Sequence, residues 1–90
     1  MGKGITDRAM LLIGMAGPTE LAKAGDTDYP RWTNIKRGRA RVGAEEIEIL
    51  GSFFPAYRWW LMTGEVMPEV GQTSPDYDEA NSKLPSHNAG

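Results

Sequence analysis

The stretch RWTNIKRGRAR, residues 31–41, holds Arg31, Lys36, Arg37, Arg39 and Arg41 and no acid. These are five of the ten Lys and Arg residues in a 90-residue chain whose formal net charge is −2. Cations gathered in this way suit a polyanion such as a nucleic acid, whose phosphates they would neutralise. A bare charge run is as often a solvated face, and Arg37 would also favour the negative end of a helix. Its surroundings have to decide.

Other chemistries lack their residues. The chain has no Cys, which removes thiol catalysis, disulfides and cysteine-ligated metal. Its single His, His87, lies in a polar tail, so neither an imidazole base nor a zinc site is expected. Glu45, Glu46 and Glu48 sit close together but have no nucleophile beside them, and they read as solvated acids at a helix start. The expectation is therefore a protein that is not an enzyme and takes no cofactor. No apolar run approaches a membrane span, and MGKGITDR lacks the apolar stretch of a signal peptide. A cytoplasmic protein without a membrane partner is expected.

The elements that must carry the basic stretch are short and helical. Ile5, Ala9, Leu12, Ile13 and Ala16 recur at helical spacing, and Gly14, Gly17 and Pro18 interrupt them. Pro18 suits a first helical position, so PTELAKA predicts a second helix closed by Gly25. Asp28 is a favourable N-cap for a third helix from Tyr29 to Arg37, which Gly38 ends in left-handed geometry. A loop, RARVG, leads to a fourth helix over residues 44–54, and Pro55 opens a fifth that stops at Gly64. Nothing alternates with period two, so the fold class is all-α. Residues 66–90 read as a linker and tail. Ser74, Pro75, Asp76 and Glu79 also make a helix start, which would place Tyr77, Ala80 and Leu84 on one side; a frayed terminus is the equal alternative.

Helices two and three, TELAKAGDTDYPRWTNIKRG, place Trp32 and Ile35 inward and Tyr29, Pro30, Thr33 and Asn34 outward across a tight turn. Residues 19–38 resemble the helix-turn-helix of the Cro/CI-type, or XRE-like, repressor family. The likeness rests on Glu20-Leu21-Ala22, the turn at Gly25 or Asp26, the apolar pair Trp32 and Ile35, and Gly38. WWLMTG, residues 59–64, is similar to the close of that family's fifth helix, so the resemblance spans roughly residues 5–65. It implies a five-helix bundle with a short sixth helix as an option, and residues 5–65 as the DNA-binding domain. It also implies that Tyr29, Arg31, Thr33 and Asn34 face the groove, while Thr19, Lys36, Arg37, Arg39 and Arg41 meet phosphates. Pro18 stands where many relatives carry a phosphate-touching Gln. Trp32 replaces a smaller apolar residue, and Tyr29 and Pro30 replace polar base readers, so no operator preference carries over.

Ile47, Leu50, Phe54, Trp60 and Leu61 match buried positions of that fold, which leaves Ile49, Phe53, Trp59 and Met62 on the other side. So much exposed apolar surface predicts a homodimer whose interface includes Phe53, Trp59 and Met62, or else a core that wraps more widely. The resulting expectation is a dimeric repressor of phage, prophage or mobile-element type, bound to a palindromic double-stranded operator. Ninety residues leave no room for a sensor domain, so a protein antagonist is one route of control. The alternative is a protein–protein module on the same helices: an anti-repressor, accessory factor or antitoxin.

Overall fold

A computed structural model describes residues 4–82 of the chain. Its α-helices are α1 (Ile5–Ala16), α2 (Pro18–Gly25), α3 (Tyr29–Lys36), α4 (Ala44–Phe53), α5 (Arg58–Thr63) and α6 (Pro75–Ser82). Two 3-10 turns, Pro55–Tyr57 and Pro68–Val70, lead into α5 and follow it. No strand is present among the described residues; one isolated antiparallel bridge joins Met67 to Gln72. The all-α expectation holds.

The core is a single cluster of Ala9, Leu12, Ile13, Leu21, Trp32, Ile35, Leu50 and Leu61, drawn from α1 to α5. Helical spacing explains the choice: Ala9, Leu12 and Ile13 share one stripe of α1, and Trp32 and Ile35 share one stripe of α3. Trp32 is the largest fully buried side chain. Its indole N–H, which would be costly to bury unpaired, donates to Thr27 Oγ1 at 2.8 Å. The residue that fills the core thereby also ties down the turn between α2 and α3.

Gly25 closes α2 as the sequence suggests, and Asp26 after it takes the left-handed conformation (φ 53°). Gly25 serves closeness instead: a Cβ there would lie 2.6 Å from Ile49 Cδ1 and within 3.1 Å of two further Ile49 carbons. Gly25→Ala is expected to destabilise the fold by about 1–3 kcal/mol through overpacking of the α2–α4 contact, measured as a drop in urea midpoint. Asp28 does occupy the N-cap of α3 in extended geometry, but its side chain makes no capping hydrogen bond. The helix ends at Lys36, one residue short of expectation, with Arg37 as its C-cap.

The fourth helix stops at Phe53, and the predicted fifth divides into the turn at Pro55–Tyr57 and the shorter α5. Pro55 explains the division, since its ring cannot continue the hydrogen bonding of α4. Phe53, Phe54, Tyr57 and Trp60 form a row of ring contacts with centroids 5.0, 5.7 and 6.4 Å apart. The end of α5 is held by Arg8 of α1, whose Nε donates to Leu61 O at 3.0 Å, a cation at the negative end of a helix. Arg58 Nε likewise donates to Gly51 O in the last turn of α4.

The segment after Gly64 is folded onto α5 rather than trailing from it. Gln72 accepts a hydrogen bond from Trp59 N at 2.7 Å and donates one to Pro55 O, and Thr73 N donates to Ala56 O. Ser74 caps α6 by accepting from Tyr77 N at 3.0 Å, and Tyr57 Oη donates to Asp78 at 2.7 Å. That bond, with partial burial, pushes the Tyr57 phenol above its ordinary pKa. Leu84 and His87 lie outside the described residues.

Candidate nucleic-acid interface

α3 is presented by α2 across the turn Asp26–Asp28, and α1 and α4 back the pair. With Trp32 and Ile35 turned into the core, the opposite edge of α3 faces solvent. Tyr29 is 51% exposed, Pro30 is exposed, and Thr33 and Asn34 are half-exposed. Thr33 Oγ1 donates to Pro30 O at 3.0 Å, so its hydroxyl is turned back on its own helix. That bond fixes the rotamer of the methyl group.

A Schellman closure ends α3. Gly38 has φ 80°, its N–H donates to Ile35 O at 3.0 Å, and Arg39 N donates to Asn34 O at 2.8 Å. A side chain at Gly38 would be strained in that conformation, and the sharp reversal it allows throws the chain straight into the basic loop. Lys36, Arg37, Arg39 and Arg41 are all exposed, and none forms an ion pair with a described residue. Four uncompensated cations therefore lie on the last turn of α3 and the loop behind it. Thr19 is exposed in the first turn of α2, where Pro18 supplies no N–H.

Arg31 is placed differently from the other cations. Its Nε donates to Glu46 Oε2 at 3.0 Å and its Nη2 to Glu46 Oε1 at 3.1 Å. The same Nη2 donates to Arg41 O at 2.9 Å. Glu46 is thus a buried, bidentate partner, 5% exposed, and not a solvated acid at a helix start. Glu45 and Glu48 keep the exposed positions expected of them. Sequence spacing carries no sign of the pair, because the two residues are 15 apart and belong to different helices.

Glu46 Oε1 also accepts from Gly43 N at 2.8 Å, reaching back to satisfy a free N–H at the start of α4. The hydrogen bond from Arg31, aided by the Gly43 N–H and opposed by burial, holds the Glu46 carboxyl below the usual carboxylate range. A lowered folded-state pKa means that the unfolded chain binds the proton more readily. The pair's stabilisation is then complete above the ordinary glutamate value, about 4.3, and is lost as pH falls through the lowered folded value. Urea midpoints measured from pH 6 to pH 2 should fall more in the native chain than in Glu46→Gln.

The candidate dimer face is split by burial. Trp59 and Met62 are 41% and 54% exposed, and Val70 beside them is exposed. Phe53 and Ile49 are instead half-buried and pack against the core, Ile49 over Gly25, so the core does wrap more widely on that side. A shallow apolar groove is lined by Trp59, Met62, Met67 and Val70, with Arg58 and Gln72 also on its wall. Among the described residues there is no cluster of ligating side chains fit for a metal. None of their helices is long and apolar enough to cross a membrane.

No protein-family model matches the sequence, and no curated protein does. Among solved structures, the chain matches Pf6r from the filamentous phage Pf6 of Pseudomonas aeruginosa PA01, with 46% sequence identity and a TM-score of 0.85. The match covers 90% of this chain and 96% of that one. The chain belongs to the Pf6r family. The likeness thus runs through nearly the whole Pf6r chain and extends past α5, beyond the roughly 60 residues that carry the helix-turn-helix resemblance.

Proposed function

We propose that this protein is a sequence-specific double-stranded DNA-binding regulator of phage or prophage type, a repressor that acts as a dimer. One observation carries the reading. The solvent-facing edge of α3, with Thr33 and Asn34, runs into a left-handed stop and then a loop, so that Lys36, Arg37, Arg39 and Arg41 stand exposed without acidic partners among the described residues. An edge of short polar groups fits the major groove, and cations behind it fit the sugar-phosphate backbone. Membership of the Pf6r family supports a filamentous-phage setting. The order of α2, α3 and the loop agrees with the Cro/CI-type arrangement that residues 19–38 resemble.

Tyr29, Thr33 and Asn34 are assigned to base edges, and Lys36, Arg37, Arg39, Arg41 and Thr19 to phosphates. Arg31 leaves the base-reading set because its guanidinium already serves Glu46 and the loop carbonyl. The exposed Trp59 and Met62 support a two-fold dimer, with Phe53 at the margin. Dimerisation would make the operator palindromic, its half-sites about one helical turn apart.

Selection of bound duplexes from a random pool, with sedimentation of the free protein, tests the whole reading. A two-fold symmetric site and a dimer are expected. A protein that retards no duplex at low salt would instead be a protein–protein module on this fold, and a strict monomer at high micromolar concentration would remove the interface.

A further inference from the structure

The loop that carries Arg39 and Arg41 is fastened at both ends. At its start, Arg39 N and Ala40 N both donate to Asn34 O, at 2.8 and 3.2 Å. At its far end, Arg41 gives its carbonyl to Arg31 Nη2 and Gly43 gives its N–H to Glu46 Oε1. Arg31 and Glu46 are themselves joined by two hydrogen bonds. The hydrogen bonds among Arg31, Arg41, Gly43 and Glu46 thus close one ring, which ties α3, the loop and the first turn of α4 together. Directional bonds of this kind specify a position better than apolar packing does, whatever their net contribution to stability. The ring leaves the side chains of Arg39 and Arg41 outside it and in solvent.

We propose that Arg31 and Glu46 form a latch that positions the basic loop, so that Arg31 is a positioning residue that sets where Arg39 and Arg41 meet the DNA backbone. The inference rests on the DNA-binding reading above. It explains why a chain that gathers its cations at this face retains an acid directly beneath them. Glu46 is neutralised locally by Arg31, and its role is to hold the loop in register with α3. Fixing the distance between the groove-facing edge and the phosphate-binding cations in advance also spares the ordering that binding would otherwise impose on the loop.

Glu46→Gln tests the latch through the sign of its effect. Removing a negative charge beside the interface should by itself strengthen binding to a polyanion. Loss of the latch should weaken it, because the amide places a donor against the Arg31 guanidinium and breaks the bidentate pair. Arg31→Lys keeps the charge but cannot span both the carboxylate and the Arg41 carbonyl. Both variants are compared with the native chain on the selected duplex across a salt series, at a temperature where melting curves show each fully folded.

The expected result is binding weakened about fivefold to thirtyfold at physiological salt, with log affinity against log salt shallower by the equivalent of about one to two phosphates, roughly 0.9 each. Equal or tighter binding by Glu46→Gln at an unchanged slope overturns the latch. So does a change of preferred base with Arg31→Lys alone, which would return Arg31 to base reading. Amide exchange in the free protein supplies a readout that needs no DNA. Gly43 and its loop neighbours should exchange about tenfold faster in Glu46→Gln while the amides of α1 stay as slow as in the native chain. If the native chain retards no duplex, the DNA-binding reading fails by itself, and unchanged loop exchange is what would then sink the latch.

Discussion

Replacing Arg37, Arg39 and Arg41 together by Ala is expected to lower affinity for the selected duplex about a hundredfold at physiological salt and to flatten its salt dependence by roughly 2.7, about 0.9 for each phosphate no longer neutralised. All three residues are exposed and form no ion pair with a described residue, and none contributes a side chain to the core. The fold should therefore survive, with a far-ultraviolet spectrum like that of the native chain. The selected base sequence should survive as well, since Tyr29, Thr33 and Asn34 are untouched and backbone contacts carry little sequence information. Retardation assays at two salt concentrations decide the matter. If the triple variant binds with the native salt slope, the loop does not touch the DNA backbone, and the cations serve solubility.

The second large effect lies at Trp32. It is fully buried where α1, α2 and α3 meet, and its N–H secures Thr27 in the turn of the helix pair. Trp32→Ala should cost about 3–5 kcal/mol, a large share of the stability of a small domain. Little folded protein should then remain at 37 °C. Trp32→Phe retains most of the volume and loses the hydrogen bond to Thr27, so a loss of about 1–2 kcal/mol is expected. Urea unfolding followed by circular dichroism separates these outcomes. A fold indifferent to Trp32→Ala would mean that the helix pair is held from elsewhere.

Those two residue sets also mark what is legible in the sequence. Trp32 and Ile35 are readable as core because three-residue spacing on a helix puts both on one stripe, a local matter. Gly38 and Ser74 are readable as a stop and a cap for the same reason, since each acts on backbone within five residues of itself. The Arg31–Glu46 pair is not readable. Its partners come from separate helices, and Glu46 lies in a run of acids that, judged by composition, belongs in water.

Gly25 is legible in its place and not in its cause. Its place at the end of α2 is legible, but the left-handed turn falls to Asp26, and the reason Gly stands there is a helix that arrives some 20 residues later. The dimer face is legible only in part for a similar cause. Helical phase sets Phe53 and Ile49 opposite the core, while the kink at Pro55 and the approach of α2 bring both of them against it. Trp59 and Met62 stay partly exposed, 41% and 54%, beside Val70.

Arg8 joins the two extremes of the bundle: it stands near the start of α1, and the carbonyl it serves belongs to Leu61, 53 positions later. A chain growing from its N-terminus cannot complete that bond until most of the protein exists. The opening helix must wait, incompletely anchored, for the last turn of α5, and loops that close so late delay folding. Shortened versions ending before residue 61 should consequently behave as loose chains and not as smaller copies of the whole.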